Sequence, residues 1–356
     1  MSQLAAHPQS TQQQYTSLYT DLMRTVRELG LLRRRKGYYF TRIGLVLTTL
    51  AGVGAGVVLL GDSWYQLLLA GALAAVLTQV AFLSHDSAHR QIFHSPAWND
   101  WTARFLAGPI AGMSATWWRH KHNRHHNAPN QVGKDPDVEL DVIAFHPDAV
   151  AKRGRTGRWI AARQGWLFFP LLTLEGVGLH VSSLRHLLRR GATRLERVEA
   201  AVVVSRIGGY VAALYLLLPV GKASAFLGIQ LAVFGIWLGA SFAPNHKGMP
   251  LVPATMKLDF LRRQVLMSRN IRGGVLVDFA MGGLNYQIEH HLFPSMPRPT
   301  LKLVRPIVRE YCARHDITYT EVGLFTSYRI VVDYLNNVGL RARDPFQCPL
   351  VELYRK

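Results

Sequence analysis

The sequence predicts an all-α integral membrane protein, with four transmembrane helices in two hairpins, interfacial helices, and a helical cytoplasmic cap that carries a metal site. Three observations predict it. The apolar residues, 49% of a 356-residue chain, fall in long runs instead of being spread evenly. Strongly basic stretches separate those runs, and the formal net charge is +19. Three histidine clusters, His85/His89, His122/His125/His126 and His290/His291, each lie beside an apolar segment.

In chain order, residues 1–36 form a polar cytoplasmic segment whose first 20 residues are glutamine-rich and expected to be disordered, with no secretory signal. The first hairpin occupies 37–84. Its spans run from about Phe40 to Leu60 and from Tyr65 to Leu83, each near the ~20 residues that cross a bilayer as a helix. Arg33, Arg34, Arg35 and Lys36 precede the first span with Tyr38 and Tyr39 at headgroup level, which places this end in the cytoplasm. The link Gly61-Asp62-Ser63-Trp64 has no lysine or arginine, as suits an outside turn.

Residues 85–200 form a cytoplasmic and interfacial region with the first two histidine clusters. Trp101 to Trp117 is apolar but broken by Arg104, Gly108 and Pro109, and is expected to be an interfacial helix. The run from Gly165 to Leu184 contains Glu175 and His180 and leads into Arg185 and His186. A charge in mid-membrane costs at least ~2.5 kcal/mol, so this run is expected in the interface. Parity agrees, because an even number of crossings must separate the second cluster from the third. The second hairpin, 201–243, joins Val202–Leu218 to Ala223–Phe242 through Pro219-Val220-Gly221. The cap, 244–356, holds the third cluster.

Composition narrows the function. A pI near 10.4 invites a nucleic-acid reading, but the arginines flank apolar spans and no nucleic-acid motif is present. Anionic headgroups or an acidic redox partner suit the charge better. Two cysteines, Cys312 and Cys348, are too few for an iron–sulfur cluster or a zinc ribbon. Arginine strongly outnumbers lysine, which points to a GC-rich bacterial genome and a plasma-membrane location.

The histidines carry the chemistry. His85 and His89 are spaced i, i+4, as are His122 and His126 with His125 beside them, so each cluster shares one helix face. Gln287, His290 and His291 share another, and His246 follows the fourth span. One such histidine is ordinarily a solvated or hydrogen-bonded side chain. Eight on one membrane face are far more than a zinc ion needs, whereas a polynuclear site for oxygen chemistry would use them. Imidazole suits iron, copper and zinc, and spacing does not separate iron from copper. Asp86, Asp135, Asp137, Gln287 and Glu289 stand where they could orient imidazole N–H groups. Arg298 and Arg305, among other cap arginines, could steer an acidic electron carrier.

Trp117-Trp118, Lys121-His122-Asn123-Arg124-His125-His126, Asp135-Pro136-Asp137 and Asn285-Tyr286-Gln287-Ile288-Glu289-His290-His291-Leu292-Phe293-Pro294 together resemble the membrane fatty acid desaturases, most closely the acyl-lipid or front-end branch. The resemblance covers roughly residues 38–320. It implies a diiron centre, O2 as co-substrate, and removal of two hydrogens from an acyl chain held among membrane lipids. Carried over by position, the iron ligands are His85, His89, His122, His125, His126, His246, His290 and His291, with His246 on the weakest match and His94 and His120 outside the pattern. Front-end enzymes commonly carry a fused cytochrome b5 domain whose His-Pro-Gly-Gly is absent here, so electrons are expected from a separate ferredoxin or similar carrier with a reductase. A hydroxylase or ketolase of the same superfamily would share these motifs. A histidine-rich metal transporter would need its ligands near the bilayer midplane, away from span ends.

Overall fold

Residues 11–139 and 142–340 are described by the computed structural model, and their first element departs from expectation. Instead of being disordered, residues 11–20 belong to a helix, α1 (Thr11–Glu28). Leu22 and Val26, one turn apart, are fully buried in a cluster with Leu292, Val304 and Val308. The Tyr19 hydroxyl donates to the Leu292 carbonyl at 3.0 Å, and the Tyr311 hydroxyl to the Leu18 carbonyl at 2.7 Å. Leu18, Tyr19 and Met23 pack partly buried around Leu22 and Val26, so a short apolar face docks once a partner surface exists. The N-terminal helix is therefore part of the cap.

α2 (Lys36–Leu60) and α3 (Gln66–Ala88) form the first hairpin. Gly61, at φ +54°, supplies the left-handed turn between them, and Gln66 Nε2 donates to the Val57 and Gly61 carbonyls that the helix end leaves open. The two helices differ in burial. Over its most apolar 18 residues α2 is 17% buried and α3 56%, so α2 faces lipid and α3 is the central pillar. Its last turn carries the first histidine cluster.

The expected helix over 101–117 is instead two helices. α4 (Pro96–Phe105) runs into a wide π-turn at Leu106–Ala111 that contains Pro109, and Gly112 at φ +75° ends it. Proline removes the N–H that an α-turn would use, and the widened turn absorbs the break. Ser114 then caps α5 (Ala115–Asn127), the carrier of the second cluster. After the short α6 (Pro147–Ala151) and α7 (Arg155–Ala161), the 165–184 run divides into α8 (Gln164–Leu172) and α9 (Glu175–Leu187), bent by 73° with Glu175 at the bend.

α10 (Arg194–Leu217) and α11 (Val220–His246) form the second hairpin, which brings the helices long and apolar enough to cross a membrane to four among the described residues, or to five if the bent pair counts as one span. α11 continues through Pro244, so His246 is its last residue and does not lie beyond the span. The cap holds α12 (Phe260–Leu266), β1 (Asn270–Arg272), α13 (Val275–Ala280), α14 (Gln287–Leu292), α15 (Arg298–Arg314), β2 (Glu321–Gly323) and α16 (Leu324–Leu340). The two three-residue strands pair in parallel, with Asn270 opposite Glu321. One apolar cluster joins α2, α3, α10 and α11, and a second joins α1, α12, α14 and α15. The histidines lie where these two bodies meet.

Candidate metal centre

Four segments deliver imidazoles to one place. The end of α3 gives His85 and His89, α5 gives His122, His125 and His126, the last residue of α11 gives His246, and α14 gives His290 and His291. Their nitrogens sort into two sets. In the first, ligand atoms of His85, His89, His122 and His290 lie within 4.8 Å of one another; in the second, those of His125, His246 and His291 do. His126 sits between the sets, with Nε2 2.9 Å from His122 Nε2 and its ring stacked on His291 at 4.1 Å between centroids. His120 is exposed and belongs to neither set.

The third cluster is aimed by its approach. Gly282 and Gly283, at φ +59° and +80°, precede α14. A Cβ on Gly282 would fall 2.3 Å from the Phe82 ring, and one on Gly283 2.5 Å from Arg298 Cγ. Glycine is required here twice over, for backbone conformation and for space.

Second nitrogens set the direction in which each ring points. His125 Nδ1 donates to Asp135 at 2.9 Å, His246 Nδ1 to the Met267 carbonyl at 2.9 Å, and His291 Nδ1 to Gln264 Oε1 at 2.8 Å. Each bond fixes the tautomer and leaves an Nε2 lone pair facing inward. His125 Nε2 and His246 Nε2 then confront each other at 3.2 Å, an arrangement that a shared cation relieves. The buried Nε2 atoms of His85, His89 and His291, and both ring nitrogens of His290, have no hydrogen-bond partner. Unmet buried polar atoms cost about 1–3 kcal/mol each, so this collection is costly unless something binds it.

The electrostatics agree. Burial, then neighbouring imidazoles, hold His122, His126, His290 and His291 well below the usual histidine range, which keeps them neutral with lone pairs free. Burial would depress His125 as well, but the Asp135 carboxylate outweighs it and raises this ring. A more basic imidazole is the better electron donor to a cation. The donor set is all nitrogen, neutral and pre-aimed, and it fits two transition-metal ions.

Other expected residues divide. Asp135 is fully buried and also accepts from the Asn130 N–H at 2.8 Å. Asp86 lies 3.3 Å from His85 Nδ1, and Gln287 Nε2 is 2.9 Å from His246 Nε2. Asp137 pairs chiefly with Lys121 at 2.7 Å and reaches His125 only at 3.5 Å. Glu289 does not orient an imidazole. It lies across α14 from Gln287, His290 and His291, as 100° per residue dictates, and Asn270 and Tyr319 each donate to it at 2.7 Å. Burial raises its carboxyl to about 7.

Arg298 is likewise not a docking cation: its side chain is 10% exposed and holds Asp86 at 2.7 Å. Arg305 is partly exposed and already pairs with Glu321 at 3.0 Å.

Two supports had no clear signal in the sequence. Trp118 stacks on His122 at 4.2 Å. Glu199 of α10 accepts from Arg104 Nη1 (2.7 Å), Ser114 Oγ (2.7 Å) and Thr116 Oγ1 (2.6 Å), which clamps the start of α5. An acid near the head of an apolar span was the available clue.

The family model described as fatty acid desaturase matches residues 62–323. The chain is 30% identical to an acyl-lipid (9-3)-desaturase of Physcomitrium patens over 88% of its own length and 61% of that relative's. A Delta(8)-fatty-acid desaturase of Helianthus annuus is 26% identical over 96% of this chain and 81% of its own. The Delta(5) fatty acid desaturase fat-4 of Caenorhabditis elegans is also 26% identical, over 92% and 74%.

Proposed function

The chain belongs to the fatty acid desaturase family, and from that premise we propose that it is an oxygen-dependent desaturase that introduces a cis double bond into a membrane-borne acyl chain at a histidine-held diiron centre. The observation that carries the reading is the double set of converging buried imidazoles, in which nitrogens of His85, His89, His290 and His291 have no hydrogen-bond partner. His85, His89, His122 and His290 would hold one iron, His125, His246 and His291 the other, with His126 between them. When bound, the pair supplies reduction of O2 to water coupled to removal of two hydrogens from adjacent methylenes.

The chain's own part is positional. Asp135, Met267 and Gln264 fix three rings before any cation arrives, so little reorganisation is left to the reaction. Phe242 and Trp118, beside the His85 ring at 6.3 and 5.3 Å between centroids, together with the buried α14, keep water away from the site. We place the centre on the cytoplasmic side of a bacterial plasma membrane, because Arg33–Lys36 and the histidines sit at the same end of the first hairpin. Electrons would come from a separate carrier, a ferredoxin or similar protein with its reductase.

The fatty acid profile of a bacterial host expressing the chain tests the reading. A new unsaturated acid should appear and should be lost with His125→Ala or His290→Ala, while both variants still reach the membrane. Hydroxylated products in place of unsaturated ones would overturn it, as would stoichiometric zinc without iron together with an unchanged profile.

A further inference from the structure

At the histidine end of the first hairpin, on the outer side of the cap, a cleft of about 540 Å3 opens between the start of α2 and the start of α15. Arg34, Arg35, Lys36, Gly37, Tyr38, Pro299 and Leu303 line it. Three of these seven are cations, and no acid lines it. Among the described residues, none of the three makes an ion pair with a carboxylate. Arg34 Nη1 donates to the Ser295 carbonyl at 2.7 Å, which fixes that side chain, while its buried Nε has no partner. Like charges gathered in a cleft, one of them anchored with a donor unused, form a receptor for an anion. The start of α2 adds to this, since Arg35 at its N-cap makes no side-chain cap and the first N–H groups stay open.

What surrounds the cleft says which anion. Phe40, one turn into α2, is 56% exposed, Leu303 is 54% exposed, and Leu47, two turns further along the same face of α2, is exposed as well. Arg42 lies over the Tyr38 ring at 5.3 Å and adds a cation at the same level. A small soluble anion would have no use for an apolar strip running down from its site. A molecule with an anionic head and long apolar tails would occupy both.

We propose that this cleft binds the phosphodiester of an anionic glycerophospholipid, with the acyl chains lying along the exposed face of α2. The site is joined to the histidines by a short relay. Tyr39, next to Tyr38, donates to Gln91 Oε1 at 2.8 Å and accepts the Arg298 N–H at 3.0 Å, and Arg298 holds Asp86 beside His85. A bound headgroup therefore sits one residue from the contact that joins the cap to the first histidine segment. The assignment does not depend on the reaction proposed above.

The test uses the full chain, purified in a neutral detergent, with lipid binding followed by native mass spectrometry. Phosphatidylglycerol, inorganic phosphate and coenzyme A are offered separately. Phosphatidylglycerol should bind, and Arg35→Gln with Lys36→Gln should weaken it about 25-fold, at about fivefold per cation removed. Lys36→Arg should retain binding. Arg189→Gln with Arg190→Gln, exposed at the end of α9, should change it little, and circular dichroism of each variant checks folding. Equal phosphatidylglycerol binding by the Arg35/Lys36 variant and the parent would overturn the site. Inorganic phosphate or coenzyme A binding as tightly as the lipid, with the same loss in the variant, would overturn the lipid assignment.

Discussion

At the residue scale, the contrast between Asp135 and Glu289 is the sharpest. Both are buried acids that the sequence offers as groups to orient an imidazole, but Asp135 touches the His125 ring and Glu289 faces Asn270 and Tyr319. Asp135→Asn should lower iron affinity about 10–100-fold, the usual effect of losing a ring-orienting carboxylate. Glu289→Gln should leave iron content unchanged, because an amide can replace a carboxyl whose burial already favours the uncharged form. Iron per chain, measured by plasma mass spectrometry, checks both; equal losses would mean that the two acids act alike. The i, i+4 spacing made the histidines legible. What spacing could not show is the partner of each second nitrogen, because Met267 contributes a backbone carbonyl and Gln264 an amide of no distinctive pattern. Arg298 misled for a related reason: a cap arginine looks solvated until Asp86, 212 positions earlier in the chain, is seen to face it.

At the scale of elements, the spans were legible because hydropathy is a local property, and the breaks were not, because they depend on neighbours. The π-turn at Leu106–Ala111 and the 73° bend before α9 both occur where other helices press close. A Cβ on Gly235 of α11 would lie 2.4 Å from the Leu172 carbonyl oxygen at that bend. α1 was missed because, among its described side chains, only Leu22 and Val26 are fully buried, which gives little periodicity to read. The clamp of Glu199 on Arg104, Ser114 and Thr116 is the contact between the second hairpin and the second histidine cluster that is most open to test. Glu199→Leu leaves Arg104 half of a buried pair and should cost about 3–5 kcal/mol. Thermal unfolding in detergent should show a clear drop in midpoint, with iron content falling although no ligand has been altered. A midpoint within a degree of the parent would show that α5 is held by other means.

At the scale of the whole molecule, the membrane hairpins and the cap are two bodies that each contribute imidazoles to both sets. Removing metal should loosen them from each other. Chelation is expected to lower the unfolding midpoint by several degrees and iron(II) to restore it, since a ligand that binds only the folded state stabilises it by mass action. Topology is a separate check. Reporters fused after Gly61 and after Val220 should lie on one side of the membrane and a reporter after Arg158 on the other; a Val220 reporter on the same side as the Arg158 reporter, opposite Gly61, would mean that the bent α8–α9 pair crosses. Electron supply is tested by reconstitution. Cys312 is free and buried, and nothing else among the described residues offers a redox relay, so NAD(P)H alone should give no turnover while an added ferredoxin and reductase should. Arg305→Glu should raise KM for that carrier, since Arg305 reaches the cap surface beside Arg309.

The two sets of imidazoles also impose a timetable on synthesis. The ring at residue 85 leaves the ribosome roughly 200 residues before those at 290 and 291, an interval of about 10–40 s at ordinary elongation rates. Throughout that interval both sets are incomplete, because each takes one member from α14. A nascent or prematurely ended chain can insert its hairpins and still lack a closed site in either set. A metal held as proposed would therefore be bound only once translation has passed His291.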